Sequence, residues 1–587
     1  MKRILFATLL AAAIVAHAIP APAATEIKYA LSVLHYNLQY VAGDTKIENK
    51  IIQYGLDPLL DFYLAHPNWG ADIEMQGYMI EETAKRFPQT YEKLKTLINR
   101  GQLDLVSFHY SDQLFLAYPQ LDAAWSVKTN DAVFEKYGVK RSGTVFTQEG
   151  QFGEGQAAFM ASHGYDTLVL PKNLYRYQHG ELDNPAPYYA LNGVNVVIGA
   201  KGVEYHGEAT VKTAWTYMDD AELLPTGRAT PYSEYYKYKP EKMQEYGDEL
   251  KGLEDQGYKI GKISDYINDL KKAGVKPAKL DPMVDGSWQP KDTDNIFRWM
   301  GDYRAQFERD NEILTENYRV RGKLAAAQTI IDHIRGLDRE KDAVALEQQL
   351  EEAWRLQCLA EVSDSTGWTP MPVEIEYSQS NSAAVEKITD AIAARAKEIL
   401  GTKYLSVDVA SGKITLADTP AKPAEYPETK CPVEYKLTGE IEKEMHTCYK
   451  VDASTVKMVA KFKSTNWYKN NTRMIFPRET DNIIYSPALR EETYVKYPAS
   501  AFKSETGSFY LPLSNGMIGL ADNMFMIEKL DTVHVSPRFG FDEKTVSIDM
   551  RKPPSGIHTW VLYFYTGTPE DAVKLANKLN VFPTVEF

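Results

Sequence analysis

The sequence predicts an α/β chain: a distorted (β/α)7-type barrel, then a helical subdomain, then a C-terminal antiparallel domain of β-sandwich type. Three observations carry this expectation. From Ile27 to about Tyr266, short apolar runs alternate with amphipathic stretches. Strand, helix, strand in succession implies parallel strands joined by crossovers. From about Trp299 to Gly401 the apolar residues fall at three-to-four spacing, as at Leu346, Leu350, Ala353 and Trp354, which is a helical period. After Gly401 the pattern alternates around short turns, as in YLSVDVASGKITLAD and, around Asn515-Gly516, FYLPLSNGMIGLAD. That pattern belongs to antiparallel hairpins. The corresponding boundaries are 25–298, 299–401 and 402–587.

Before the barrel, residues 1–24 read as a secretory signal. Lys2 and Arg3 precede an apolar run from Ile4 to Ala16, and small residues at Ala16/Ala18 or Ala21/Ala23 offer cleavage sites. The expected location is therefore periplasmic or secreted. The barrel strand candidates are IKYALSVLHY, LDLVSFHY, SGTVFTQE, DTLVLP, VNVVIGA, KTAWTYMDD and KIGKISDY, with helices such as MIEETAKRFPQTYEKLKTLINRG between them. About seven such units suggest a closed barrel, whose site lies at the carboxyl ends of its strands. Near the end, TPEDAVKLANKL reads as a helix capped by Thr568.

At 587 residues the chain exceeds one ordinary core. Its 66 Lys and Arg stand against 80 Asp and Glu, a net charge of −14. This argues against nucleic acid or an anionic membrane as partner and fits a neutral substrate without demanding one. No later segment approaches a membrane span, so no membrane insertion is expected. Tyrosines number 38 and tryptophans 9, ample flat surface for stacking on sugar rings. Cys431 and Cys448 flank a short segment and can bridge in an oxidising compartment, while Cys358 reads as a small apolar core residue. Three cysteines without CxxC spacing argue against a structural zinc site, and no metal and no cofactor are expected.

Two carboxylates stand out at strand ends. Glu149 lies in GTVFTQEGQFGEG, between a short strand and a glycine-rich turn. Asp220 lies in YMDDAELLPTG, crowded by Asp219 and Glu222. Like charges that close raise one another's pKa and hold a carboxylic acid protonated near neutral pH. A carboxylate nucleophile plus a protonated partner is the minimum set for retaining glycoside hydrolysis. His35, in VLHYNLQYV, and His109, in SFHY, end two further strands.

Five ordered segments resemble the five motifs of glycoside hydrolase family 57. VLHYNLQYV resembles the first, GQLDLVSFHYSDQL the second, FTQEGQFGEGQAAFMASHGYDTLV the third, YMDDAELLPTG the fourth and CLAEVSDSTGW the fifth. The resemblance covers roughly residues 27–370. It implies a carbohydrate substrate, Glu149 as nucleophile and Asp220 as general acid/base. It also implies that His35 and Asp364 hold sugar hydroxyls or orient the carboxylates. Asn37, His109, Trp215 and Trp368 are expected to bind substrate with them. Trp288, in DGSWQPKDTDNIFRWMGDYR, is expected to form a sugar platform. The chain departs from the family pattern at Asn37 and Gln39, at Phe146-Thr147-Gln148, and at Ser365-Thr366-Gly367 before Trp368. More distantly the layout resembles family 38 α-mannosidases, which need His-x-Asp for zinc and an aspartate nucleophile; here these positions read His35-Tyr36-Asn37 and Glu149. The function so implied is an exported retaining α-glycosidase acting on an α-linked glucan or a related saccharide. A transglycosylase and a degenerate carbohydrate-binding protein are the alternatives.

Overall fold

The computed structural model describes residues 26–587 except 40–41, 207–209, 228–235, 288–309, 367–370, 439–440, 465–470, 504–506, 533–537, 542–543 and 552–555. The signal-like segment, Trp288 and Trp368 therefore lie outside the described residues.

Lys259–Gly261, in KIGKISDY, pairs in parallel with Tyr29–Leu31, and seven further described strands wrap one apolar interior. They are β1 (Ile27–Tyr36), β2 (Ala71–Met75), β3 (Leu103–Leu105), β4 (Thr144–Val145), β5 (Thr167–Pro171), β6 (Val194–Gly199) and β7 (Val211–Asp220). Parallel ladders run in the order β3-β2-β1-β7 and, separately, β4-β5-β6. The halves meet where Ser142 N donates to Leu105 O and Phe146 N to Val106 O. They meet again where Trp215 of β7 lies against Gly199 of β6. A Cβ on that glycine would come within 2.6 Å of the indole, so no larger residue fits. Leu31, Val33, Val106, Phe146, Val169, Val197 and Trp215 share the enclosed core.

Alternation along β1 explains what reaches the mouth. Tyr29, Leu31 and Val33 point inward, and Ala30, Leu34 and Tyr36 pack outward beneath helices, as a period of two requires. His35 continues the inward column. β2 is the polar member: Ile73 and Met75 pack outward, while Asp72 and Glu74 are level with Val33 and His35. This strand is absent from the sequence candidates, and so are two antiparallel additions. Tyr189–Leu191 pairs with β6 and Gly202–His206 with β7.

Three long helices follow the barrel. α1 (Gln120–Tyr137) belongs to the barrel wall, and α2 (Asp310–Gly336), α3 (Glu340–Ala360) and α4 (Pro372–Leu400) form the helical layer. Buried Arg321 of α2 joins three regions. Its Nε lies 3.0 Å from both carboxylate oxygens of Asp122 on α1, and its guanidinium also donates to Asn580 O and Val581 O. The β-rich region holds an eight-stranded and a five-stranded antiparallel sheet around a common core that includes Met458, Phe476, Phe509 and Trp560. Cys431 and Cys448 are disulfide-bonded and Cys358 is a buried free thiol. Among the described residues no helix is long and apolar enough to cross a membrane.

Candidate active site

A bulge in β7 decides which acid enters the barrel mouth. At Leu31 the β1–β7 register reads Leu31 opposite Trp215, but the next pair is Ser32 opposite Tyr217, so Thr216 is the extra residue. Before it, Val211 and Trp215 face inward and Ala214 outward. After it, Met218 faces inward and Tyr217 outward. An extra residue reverses the facing of everything beyond it. Asp220 thus falls level with His35, whereas Asp219 is level with Leu34 and exposed. Thr216 Oγ1 is held 2.6 Å from Ser32 Oγ and donates to Leu31 O at 3.2 Å. Ser32 Oγ is in turn 2.7 Å from the Tyr246 hydroxyl.

His35, fully buried, sits between β2 and β7. Its Nδ1 lies 2.7 Å from Glu74 Oε2. Burial alone would depress the imidazole pKa. The hydrogen bond and charge of Glu74, followed by the charges of Glu149 and Asp220, instead hold it well above its usual value, which favours the imidazolium form. Burial pushes Glu74 upward, opposed by His35. Both candidate catalytic carboxylates therefore act on one buried cation.

Glu149 follows β4 in a left-handed backbone conformation, φ 53° and ψ 25°, a region that non-glycine residues rarely occupy. Strain of this kind is held in place by its surroundings and clusters at functional sites. The surroundings here are specific. Gln148 Nε2 donates to Glu149 Oε1 at 3.0 Å, Gln148 N donates to His109 Nε2 at 3.2 Å, and Thr147 Oγ1 donates to Gln151 O at 2.5 Å.

His109 is a correction to the sequence reading. Its Nδ1–H donates to Ser111 O at 2.6 Å and its Nε2 accepts from Gln148. Burial lowers its pKa to about 4, so it is a neutral brace for the loop that carries Glu149, with no nitrogen left for a sugar. Trp215 is a second correction. It is 2% exposed and fills the barrel interior below the mouth, because it precedes the bulge.

Asp364 arrives through a pairing that the sequence does not advertise. Val362 bridges Gln113, and Ser363 N donates to Asp112 O at 2.8 Å. Asn37 Nδ2 donates to Asp364 Oδ2 at 2.6 Å. Burial, then the charge of Asp220, raise Asp364 to about 7 against the Asn37 hydrogen bond. Glu222, two residues beyond Asp220, is pushed well above its usual range by burial and by Asp220. Gln39 faces no cleft: its Oε1 accepts from Asp112 N at 2.9 Å and its Nε2 donates to the Tyr377 hydroxyl of α4 at 3.3 Å. The structure thus brings His35, Asn37, Glu149, Asp220 and Asp364 together, and adds Glu74, Asp112 and Glu222.

The third region supports the Glu149 loop from outside. Asp285 Oδ1 accepts from Glu154 N at 2.8 Å and from the Tyr485 hydroxyl at 2.9 Å, and its Oδ2 accepts from Ala488 N at 2.7 Å. Gly155 packs so closely that a Cβ would lie 2.5 Å from Arg490 Cβ. Asp285 is thus a buried joint between barrel and β-rich region, while the expected sugar platform that begins at Trp288 lies outside the described residues.

A zinc site of the mannosidase type does not fit these residues. Position 37 offers an amide that donates to Asp364 where a carboxylate ligand would be needed, and among the described residues no three His, Cys, Asp or Glu side chains form a metal-ligating group.

No protein-family model matches the chain. It is 25% identical over 136 residues to α-amylase 1 of Dictyoglomus thermophilum, covering 23% of this chain and 20% of that protein. It is 23% identical over 144 residues to an α-amylase of Pyrococcus horikoshii, covering 24% and 22% respectively. The matches thus span about a fifth of the length of these relatives. Among solved structures, an α-mannosidase from Enterococcus faecalis V583 superposes with a TM-score of 0.61 at 8% identity, over 96% of this chain and 89% of that one. The chain therefore shares its fold, from barrel to terminal β-rich region, with that structure.

Proposed function

We propose that the chain is an exported retaining α-glycosidase acting on an α-linked glucan or a related saccharide. The observation that carries the reading is the convergence of Glu149 and Asp220 on imidazolium His35, through a strained turn on one side and a bulge on the other. The α-amylase relatives support the substrate class. The disulfide supports an oxidising compartment, as a signal at residues 1–24 would supply.

In this reading Glu149 attacks the anomeric carbon, and its carbon–oxygen bond forms as the glycosidic bond breaks. Asp220 gives its proton to the departing oxygen, then takes one from water as the glycosyl ester is hydrolysed. His35 lies within electrostatic reach of both acids, and Glu222 and Asp364 interact with Asp220 in the same buried group. Protons in such a group belong to the set and not to one residue.

Glu149→Gln is expected to lower kcat on α-linked oligosaccharides by more than about 10³-fold while the thermal unfolding midpoint stays within a few degrees. NMR of the first-formed product should show the α-anomer. An active, folded Glu149→Gln protein, or a β-anomeric first product, sinks the assignment.

A further inference from the structure

Several buried hydrogen-bond acceptors gather at the mouth of the barrel around His35. Asn37 Oδ1, Glu74 Oε1, Gln76 Oε1, Asp112 Oδ1 and Glu222 Oε2 are buried and find no hydrogen-bond partner among the described residues. Two of these, on Asn37 and Gln76, belong to neutral amides whose nitrogens are already committed. Asn37 Nδ2 is on Asp364, and Gln76 Nε2 is on Tyr36 O at 2.8 Å. The charges acting most strongly on the acids here are one another and His35: Glu74, Asp364 and Glu149 on Asp112, and Asp220 on Glu222 and Asp364. Six carboxyl groups, those of Glu74, Asp112, Glu149, Asp220, Glu222 and Asp364, thus gather around a single imidazolium.

A buried acceptor left unmatched costs about 1–3 kcal/mol. A sugar hydroxyl matches one acceptor and brings lone pairs of its own that need donors. An ammonium brings three donors and no acceptor, and its bonds to carboxylates are charge-assisted. A metal ion would satisfy the same oxygens, but the described side chains lack a metal-ligating arrangement.

We propose that the glycosyl residue bound across Glu149 and Asp220 carries a free amine, held beside Asn37, Glu222 and Asp364. The substrate class is then an α-linked hexosamine saccharide with unacetylated nitrogen. This rests on the glycosidase reading above and narrows it. The net charge of −14 favours the approach of such a polycation.

The test compares three probes on the full-length protein: α-1,4-linked glucosamine oligomers, their N-acetylated forms, and maltooligosaccharides. The expected result is a kcat/KM at least about tenfold higher for the free amines. In folded Glu149→Gln protein, calorimetric affinity should follow the same order and weaken with added salt. Glu222→Gln should shrink the amine preference. Equal or better turnover of the neutral or acetylated probes overturns the amine proposal and leaves the glycosidase reading standing. A folded protein that neither binds nor cleaves any of the three overturns both.

Discussion

Asp219 and Asp220 are neighbours of the same chemistry with different fates. Asp220 is level with His35 and acts electrostatically on it, on Glu222 and on Asp364. Asp219 is exposed, and its Oδ1 accepts from Asp220 N at 2.9 Å. Asp220→Asn is therefore expected to reduce kcat about 10²–10⁴-fold, the usual worth of a positioned proton donor. Asp219→Asn keeps the accepting oxygen and should cost less than about 3-fold. Steady-state kinetics on both variants checks this, and equal losses would place the acid elsewhere. At this scale the sequence was informative where a motif fixed the residue: His35, Glu149, Asp220 and Asp364 could each be named. It was silent on Glu74 and Asp112, whose role depends on which strand and loop lie beside β1. It misled on His109 and Trp215, because a strand-end position does not reveal whether a side chain looks into the mouth or into the frame.

The element that matters most is β7. Its bulge is one residue long and has no sequence signature, since Thr216 sits in an ordinary run of β-branched and aromatic residues. Removing the hydroxyl in Thr216→Val deletes its hydrogen bonds to Ser32 and Leu31. The expected outcome is a loss of about 1–2 kcal/mol of stability together with a drop in kcat at unchanged KM, while Thr216→Ser retains both. Denaturant unfolding and kinetics on the pair decide it; a Val variant that loses stability but keeps full kcat would show that the bulge does not aim Asp220. The other barrel strands were legible because their inward faces are apolar. β2 was not, since its inward residues are Asp72 and Glu74, and ADIEM reads as a polar stretch until its neighbours are known. The antiparallel additions at Tyr189–Leu191 and Gly202–His206 are edge pairings that short runs do not announce.

Across the whole molecule, several carboxyls are buried at joints between regions. Burial raises Asp285 to about 7 and Glu491 to about 7, against the hydrogen bonds each accepts, and Asp364 also lies at about 7. In the unfolded chain such acids release their protons near pH 4. Between about pH 4 and 7 the native protein therefore holds protons that the unfolded chain has lost, and stability falls as pH rises through that window. The unfolding midpoint should be several degrees higher at pH 5 than at pH 8, and Asp285→Asn should flatten part of that slope. A midpoint that climbs from pH 5 to pH 8 would contradict the burial of these groups. The helical and β-rich regions were evident from their periods. How they close on the barrel was not, because Arg321, Asp285 and Gly155 become joints only through partners far along the chain.

That distance has a consequence for timing. Glu154 and Arg490, which meet beside the Glu149 turn, are 336 positions apart. Synthesis proceeds from the amino end, so every barrel strand exists long before the segment that steadies the Glu149 turn. The emerging chain carries its two acids early but gains their alignment late. A chain interrupted before residue 485 would lack the contacts that Tyr485, Ala488 and Arg490 make with Asp285 and Glu154 beside that turn.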